Sequence, residues 1–291
     1  MARCLVTGHK GYIGTKLFDK LKKDGHEVLG IDLQEEIPMD ILYYLKEDSD
    51  GKFHPLFWNF QPEYIFHMAC FPRVGYCIEH PVSTMKNNVL IGTYVLNFAR
   101  KCPSVKRLIY SSSSSVVGNG AGPTSPYALH KYTTEIECGI YSKIYNLDTV
   151  SLRYFNVYSE DQKTNGPYAT AVSNWMECIR TSHKPFITGD GEQRRDMVHV
   201  DDVVSANIFC MEKEQNFNGQ YFDVGTGENI SLNEIKNIVQ RHHDVEFNYV
   251  DPRPGDVHTT MANISPLKDM GWAAEISVFK GIESCFKQIV R

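Results

Sequence analysis

The chain opens on a short apolar run, Cys4-Leu5-Val6-Thr7, followed by Tyr12, Ile13, Leu17, Phe18 and Leu21 at helical spacing. Gly25 then marks a stop, and Val28-Leu29-Gly30-Ile31-Asp32 returns as a second apolar run. This change of period predicts a strand, a helix and a strand. Further short apolar runs at Tyr64-Ile65-Phe66-His67-Met68, Arg107-Leu108-Ile109-Tyr110 and Thr149-Val150-Ser151-Leu152-Arg153 are separated by helix-like stretches, notably 82–100 and 127–145. Strands alternating with helices imply crossovers of one hand and a doubly wound parallel sheet. Residues 46–62 carry no clear period and are expected to form a loop.

Past residue 157 the pattern changes. Residues 159–167 are polar and turn-rich, and the strand-helix beat is no longer regular. The expected organisation is a Rossmann-type α/β domain over 1–157, to which part of 199–226 returns, and a smaller α/β substrate-binding lobe over 158–291. With 42% hydrophobic and 22% charged residues in 291, the composition is that of a globular protein, and no apolar run approaches the 18 or so residues of a membrane span. Met1 leads straight into the first strand without a charged leader and cleavage site, so the expected location is the cytoplasm. A formal charge of −5 gives no general attraction for nucleic acid. The eight cysteines are scattered with no Cys-x-x-Cys pair, which argues against a metal site and against a disulfide framework.

Charge and glycine spacing bring chemistry to the first crossover. In Thr7-Gly8-His9-Lys10-Gly11-Tyr12-Ile13-Gly14, three glycines fall where a chain leaving a strand turns tightly, lets phosphate approach the backbone and packs a helix on the sheet. The helix starting near Tyr12 and Ile13 aims its N–H groups at a pyrophosphate. Asp32 ends the second strand 24 residues after Gly8, close to the spacing of roughly 20 at which an acid holds the adenine ribose hydroxyls. A carboxylate there repels a 2'-phosphate, so the expected cofactor is NAD. Asp40 and Ile41 either flank the adenine or begin a capped helix.

Tyr127 and Lys131 stand four apart in a helix-like segment after Pro126 and therefore share a face. Just upstream, the strand ending at Tyr110 delivers Ser111 to Ser115 at its carboxyl end, where open parallel sheets place ligands. A phenol with an ordinary pKa of about 10 becomes a base near neutrality when positive charge from Lys131 and a nicotinamide ring lies beside it. A serine hydroxyl could share the substrate proton. The set reads as alcohol oxidation by hydride transfer.

Together these motifs resemble the extended short-chain dehydrogenase/reductase family, in particular nucleotide-sugar 4-epimerases, over nearly the whole chain. His67-Met68-Ala69 is similar to that family's fourth-strand motif, and Arg153-Tyr154-Phe155-Asn156-Val157-Tyr158 to its sixth-strand motif. Residues 191–200 and Arg253-Pro254-Gly255-Asp256 resemble two later signatures. The resemblance implies that Ser113 is the catalytic hydroxyl, Tyr127 the base and Lys131 the holder of the nicotinamide ribose. It implies that Gly8, Gly11, Tyr12, Ile13, Gly14, Asp32, Met68 and Ala69 bind NAD, and that Asn156, Arg195 and Arg253 bind the nucleotide diphosphate. Members commonly dimerise through the helices that follow residues 82 and 127. The apolar positions Ile136, Ile140 and Ile144 suit such a homodimer or, equally, a core.

Related 4,6-dehydratases carry Asp-Glu just after the catalytic hydroxyl, and sugar-acid decarboxylases keep the Glu; here those positions are Ser114 and Ser115. The resemblance therefore implies an NAD-dependent 4-epimerase of a UDP-sugar. The segment from Asn165 to Val172, with Trp175, looks most like enzymes acting on N-acetylated UDP-hexoses, and Thr260 stands where galactose-specific bacterial enzymes carry tyrosine. Two departures bear on substrate fit: the interval from Ser113 to Tyr127 is 14 residues, shorter than usual, and Val117 replaces a tyrosine. A reductase of a 4-keto nucleotide sugar and a non-catalytic NAD sensor are the alternatives. Asp32 opposes the first and the intact Ser113, Tyr127 and Lys131 the second. His130 and the pair His242-His243 are expected at the surface.

Overall fold

A computed structural model describes residues 1–162, 170–252 and 258–289, apart from the side chain of Asn119. Along the chain it forms β1 (Arg3–Thr7), α1 (Tyr12–Lys23), β2 (Glu27–Ile31), α2 (Ile41–Tyr44), α3 (Pro55–Phe60), β3 (Tyr64–His67), α4 (Val74–Glu79), α5 (Pro81–Met85), α6 (Ile91–Lys101), β4 (Arg107–Ser113), α7 (Pro126–Tyr145) and β5 (Thr149–Tyr154). It continues with α8 (Ala171–Arg180), β6 (Phe186–Thr188), β7 (Arg194–Asp196), α9 (Val200–Glu212), β8 (Gln220–Val224), β9 (Asn229–Ser231), α10 (Leu232–His242), β10 (Asn248–Val250), α11 (Ser265–Asp269) and α12 (Val278–Lys287). Two compact units result: Met1–Val117 with Ala121–Arg153 and Val204–Phe222, and Gly118–Gly120 with Tyr154–Val203 and Asp223–Arg291.

The sheet of the first unit has the order β2-β1-β3-β4-β5-β8, with β1 parallel to β2 and β3, and β3 parallel to β4. This is the doubly wound α/β arrangement expected from the alternating pattern. Leu5, Ile65 and Leu108 are buried because helices cover the sheet, so each strand reads as a continuous apolar run. α1 buries Gly14, Leu17 and Leu21 at three- and four-residue intervals, and Gly25, at φ +85°, lets the chain turn away at its end.

Two stretches depart from the expected elements. Residues 46–62 are not a plain loop: Pro55–Phe60 is helical, with Pro55 at its first position and the His54 side chain accepting from Leu56 N–H. Phe57 is buried there, and the Phe53 ring stacks on Trp58 at 5.5 Å. Clustered aromatics rather than a 3.6-residue period hold this turn. The helix expected over 82–100 forms, but a π-turn at Lys86–Leu90 separates α5 from α6. It turns Asn88 inward, where its side chain accepts from Phe71 N–H and donates to the Phe71 carbonyl.

In the second unit, β6 pairs parallel with β10 and β7 antiparallel with β9. α8 and α10 each begin with a reciprocal capping box, Thr170 with Ser173 and Ser231 with Glu234. Their apolar faces meet Ile187, Val278 and Phe286 in one core. Trp175 belongs to that core, 2% exposed, with Nε1 donating to the Phe186 carbonyl. Among the described residues no helix is long and apolar enough to cross a membrane. No group of metal-ligating side chains occurs among them, and all eight cysteines are free.

Candidate active site

The carboxyl ends of β1, β3 and β4 build the first part of the site. Gly8 leaves β1 at φ +71°, donating its N–H to the Ile31 carbonyl, and Gly11 N–H returns to the Gly8 carbonyl at 3.0 Å. A Cβ on Gly14 would lie 2.1 Å from the Gly8 oxygen, and one on Gly8 would strike Ala69 backbone at 2.7 Å. Neither position accepts a side chain. α1, with Tyr12 and Ile13 in its first turn, starts at Gly11 without a side-chain cap. An uncapped helix start beside glycine backbone is the cradle a pyrophosphate requires, so these residues fit a dinucleotide such as NAD. Thr7 ties the neighbouring strand in: its hydroxyl pairs with His67 Nδ1 at 2.8 Å and accepts from Ala69 N–H at 3.2 Å, just past Met68.

Asp32 follows β2 and accepts from the backbone N–H of Lys10 and of Gln34, each at 2.9 Å. That fixes its carboxylate against the glycine turn. Asp40 caps α2, accepting from Leu42 N–H at 2.8 Å, and Ile41 is buried behind it. The capping alternative for Asp40 is therefore realised in the structure.

β4 runs three residues further than its apolar stretch, through Ser113. Ser113 Oγ accepts from both the N–H and the hydroxyl of Ser115, at 3.2 and 2.9 Å, and Ser114–Val116 forms one 3-10 turn. With two hydrogen bonds accepted, the Ser113 hydroxyl proton points elsewhere. α7 begins after Ser125, whose hydroxyl accepts from Ala128 N–H, with Pro126 at the first helical position. Tyr127 is therefore in the first turn and Lys131 one turn below it. Lys131 is 3% exposed, and its ammonium donates to the Ser111 carbonyl at 2.5 Å and lies 5.2 Å from the centre of the Tyr110 ring. One strand end thus carries both the anchor of Lys131 and the Ser113 hydroxyl. Tyr110 itself is buried, which pushes its phenol well above the ordinary range and keeps it neutral.

A polar network that no sequence motif announces lies under this strand end. Ser112 donates to Glu135 Oε2 at 2.6 Å, and Arg153 grips Glu135 through Nε at 3.0 Å and Nη2 at 2.5 Å. The guanidinium also lies 3.5 Å from the Tyr221 ring centre. Glu135 is four residues beyond Lys131 on the same helix, so a second charge on that face was the available signal. His67 opens the run His67-Met68-Ala69. It is buried with Nε2 unpartnered, and burial, followed by the nearby Lys131 charge, pulls its pKa to about 3.

His130 is a correction. It is 5% exposed rather than at the surface, with Nδ1 3.4 Å from the Asn88 amide, because the π-turn and α4 both pack against α7 on that side. Burial lowers its pKa. His243 is also half-buried, paired with the Phe286 carbonyl at 2.7 Å, and His242 reaches Glu283 at 3.0 Å.

In the second unit, Asn156, Arg195 and Thr260 gather around β7. The Asn156 amide donates to the Asp196 carbonyl at 2.7 Å, and Thr260 exchanges backbone hydrogen bonds with Arg194 and Asp196 at 3.0 and 3.1 Å. Arg195 contacts the carbonyls of Arg194 and His258 at 3.0 and 3.2 Å. The Asp196 carboxylate, buried beneath them, accepts from Thr226 N–H and hydroxyl, Gly227 N–H and Ala262 N–H. Arg253, and residues 165–169 of the segment associated with N-acetylated sugars, lie outside the described residues.

Comparison with known proteins agrees with this geometry. A family model described as NAD dependent epimerase/dehydratase family matches residues 4–225. A UDP-glucose 4-epimerase of Mycolicibacterium smegmatis is 32% identical, with 96% of each chain covered. The solved UDP-glucose 4-epimerase of Thermotoga maritima with UDP-glucose has a TM-score of 0.85 at 28% identity, covering 98% of this chain and 97% of its own. The UDP-N-acetylglucosamine 4-epimerase of Methanobrevibacter ruminantium M1, in complex with UDP-N-acetylmuramic acid, gives 0.86 at 27% identity with the same coverage.

Proposed function

The chain belongs to the NAD dependent epimerase/dehydratase family, and from that premise we propose that it inverts carbon 4 of a UDP-sugar, taking UDP-N-acetylglucosamine and UDP-N-acetylgalactosamine in preference to UDP-glucose and UDP-galactose. The observation that carries the reaction type is the end of β4. Ser113 is followed by two hydroxyl residues, and Ser115 is committed to orienting Ser113. In the related dehydratases those two positions are Asp-Glu, and the related sugar-acid decarboxylases keep the Glu. Without a carboxyl group there, reversible oxidation at a single carbon is the chemistry these residues support.

NAD, when bound, supplies a reversible acceptor for the hydride of carbon 4. Lys131, held by the Ser111 carbonyl, puts a positive charge one helical turn from Tyr127 and favours its phenolate. Tyr127 takes the proton of the 4-hydroxyl and returns it after the ketosugar has turned over. Ser113 donates a hydrogen bond to the same sugar oxygen, without giving up its proton, and keeps that oxygen in line with Tyr127. Gly8, Gly11, Gly14, Asp32, Met68 and Ala69 are assigned to NAD, and Asn156, Arg195 and Arg253 to the nucleotide diphosphate, where guanidinium groups suit phosphate. Thr260, smaller than tyrosine, supports the N-acetyl preference. The exposed apolar side chains Leu129, Ile136, Ile140 and Ile144 on α7, with Val82 and Met85 on α5, support a homodimer.

The test is a substrate panel of UDP-N-acetylglucosamine, UDP-glucose and UDP-glucuronic acid, with products separated by chromatography. The highest kcat/KM is expected for the N-acetylated sugar; a clear preference for either other substrate overturns that choice.

A further inference from the structure

The glycine turn carries two cationic or protonatable side chains, His9 and Lys10, which the reaction does not use. Both meet one carboxylate. Glu35 Oε1 lies 2.6 Å from His9 Nε2, and Oε2 lies 3.6 Å from Lys10 Nζ. His9 is fixed in place: its ring is buried, sits 4.9 Å from the Phe18 ring, and packs where a Cβ on Gly30 would stand 2.5 Å away. Glu35 is thus anchored on a buried imidazole, and its exposed partner is Lys10, 45% exposed on a four-carbon stem. The Lys10 backbone N–H is the group that donates to Asp32, so its ammonium is tethered one residue from the carboxylate assigned to the adenine ribose.

A lysine in that position is by charge and reach a receptor for a 2'-phosphate. We propose that Glu35 is a second determinant of NAD over NADP: it neutralises Lys10 and sets another negative charge beside Asp32, so the turn offers a phosphorylated ribose no uncompensated cation. Asp32 repels the phosphate, and Glu35 withholds the counter-charge that would offset this. The inference rests on the assignment of the adenine ribose to Asp32.

The experiment is a competition. Purified wild type, Glu35→Gln, Lys10→Gln and the double variant are each equilibrated with equal concentrations of NAD and NADP at low salt, and the retained nucleotides are released and quantified. Wild type and Lys10→Gln are expected to retain NAD almost exclusively. In Glu35→Gln the ratio of NADP to NAD rises by up to about fivefold, the upper size of one exposed charge contact. The double variant falls back toward wild type, because the cation that gained the phosphate is gone, and added salt shrinks the gain. A ratio in Glu35→Gln within twofold of wild type, with NAD still bound, overturns the inference and leaves the cofactor reading standing. So does a double variant that keeps the full gain. Wild type that takes up neither nucleotide overturns both.

Discussion

Replacing Glu135 with leucine removes the carboxylate that the Arg153 guanidinium, 11% exposed, grips and that the Ser112 hydroxyl donates to. Two charge-assisted hydrogen bonds and one hydroxyl bond are lost in a buried setting. Breaking a buried pair from one side costs about 3–5 kcal/mol, because the remaining charge stays desolvated. At about 2–4 °C per kcal/mol for a domain of this size, thermal unfolding should shift down by at least about 6 °C. Exchanging both partners, Glu135→Leu with Arg153→Met, should recover most of that loss, since an apolar pair of similar volume carries no desolvation penalty. Ser112 sits between the carbonyl that holds Lys131 and the Ser113 hydroxyl, so both variants should lower kcat more than they raise KM. A single variant that unfolds within about 1 kcal/mol of wild type, or a double variant no more stable than the single, refutes the reasoning.

Tyr127→Phe should lower kcat by about 10²- to 10⁴-fold while purified protein keeps its NAD, measured by steady-state kinetics and cofactor release; loss of the cofactor would mean the tyrosine is structural. His67 predicts an acid limit on stability. Its folded pKa of about 3 lies below the ordinary 6.5, so its contribution is full above pH 6.5 and is lost as the unfolded chain takes up a proton on the way down toward pH 3. The slope is about 1.4 kcal/mol per pH unit across that window, and urea titrations of His67→Asn should lack this part of it; an unchanged slope would assign the acid sensitivity to other groups. Ile136→Lys with Ile140→Lys, both exposed, should convert a dimer to a monomer by light scattering with each chain still folded. A wild-type monomer would make the exposed stripe a surface of another kind.

Legibility followed locality. The β1-α1-β2 unit, its glycine turn and Asp32 lie within one stretch of chain, and period and spacing were enough to read them. The strand end that carries Ser111 to Ser115 and the helical turn shared by Tyr127 and Lys131 were legible from spacing, whereas the choice of Ser113 came from the family resemblance. Glu135 was not, since its partners stand 23 and 18 residues away and meet it only when α7 lies against β4 and β5. His130 was read as exposed from the helix face shared by Tyr127 and Lys131, an argument that counts one buried side. α7 is covered on a second side by α4 and by the π-turn, and neither had a sequence signal. α3 escaped notice because its aromatic contacts follow no helical period. The clamp of Glu35 on His9 and Lys10 joins β2's outgoing loop to the glycine turn, so the carboxylate three residues past Asp32 gains meaning only from the fold.

The most direct test of the central claim follows the hydrogen at carbon 4. UDP-N-acetylglucosamine labelled there with deuterium is incubated with the NAD-loaded protein, and the product is analysed by NMR and mass spectrometry. The account predicts UDP-N-acetylgalactosamine that retains the deuterium at carbon 4, formed without accumulation of NADH and abolished in Tyr127→Phe. No interconversion of any UDP-sugar in the panel, or product whose label has exchanged with water, would contradict it.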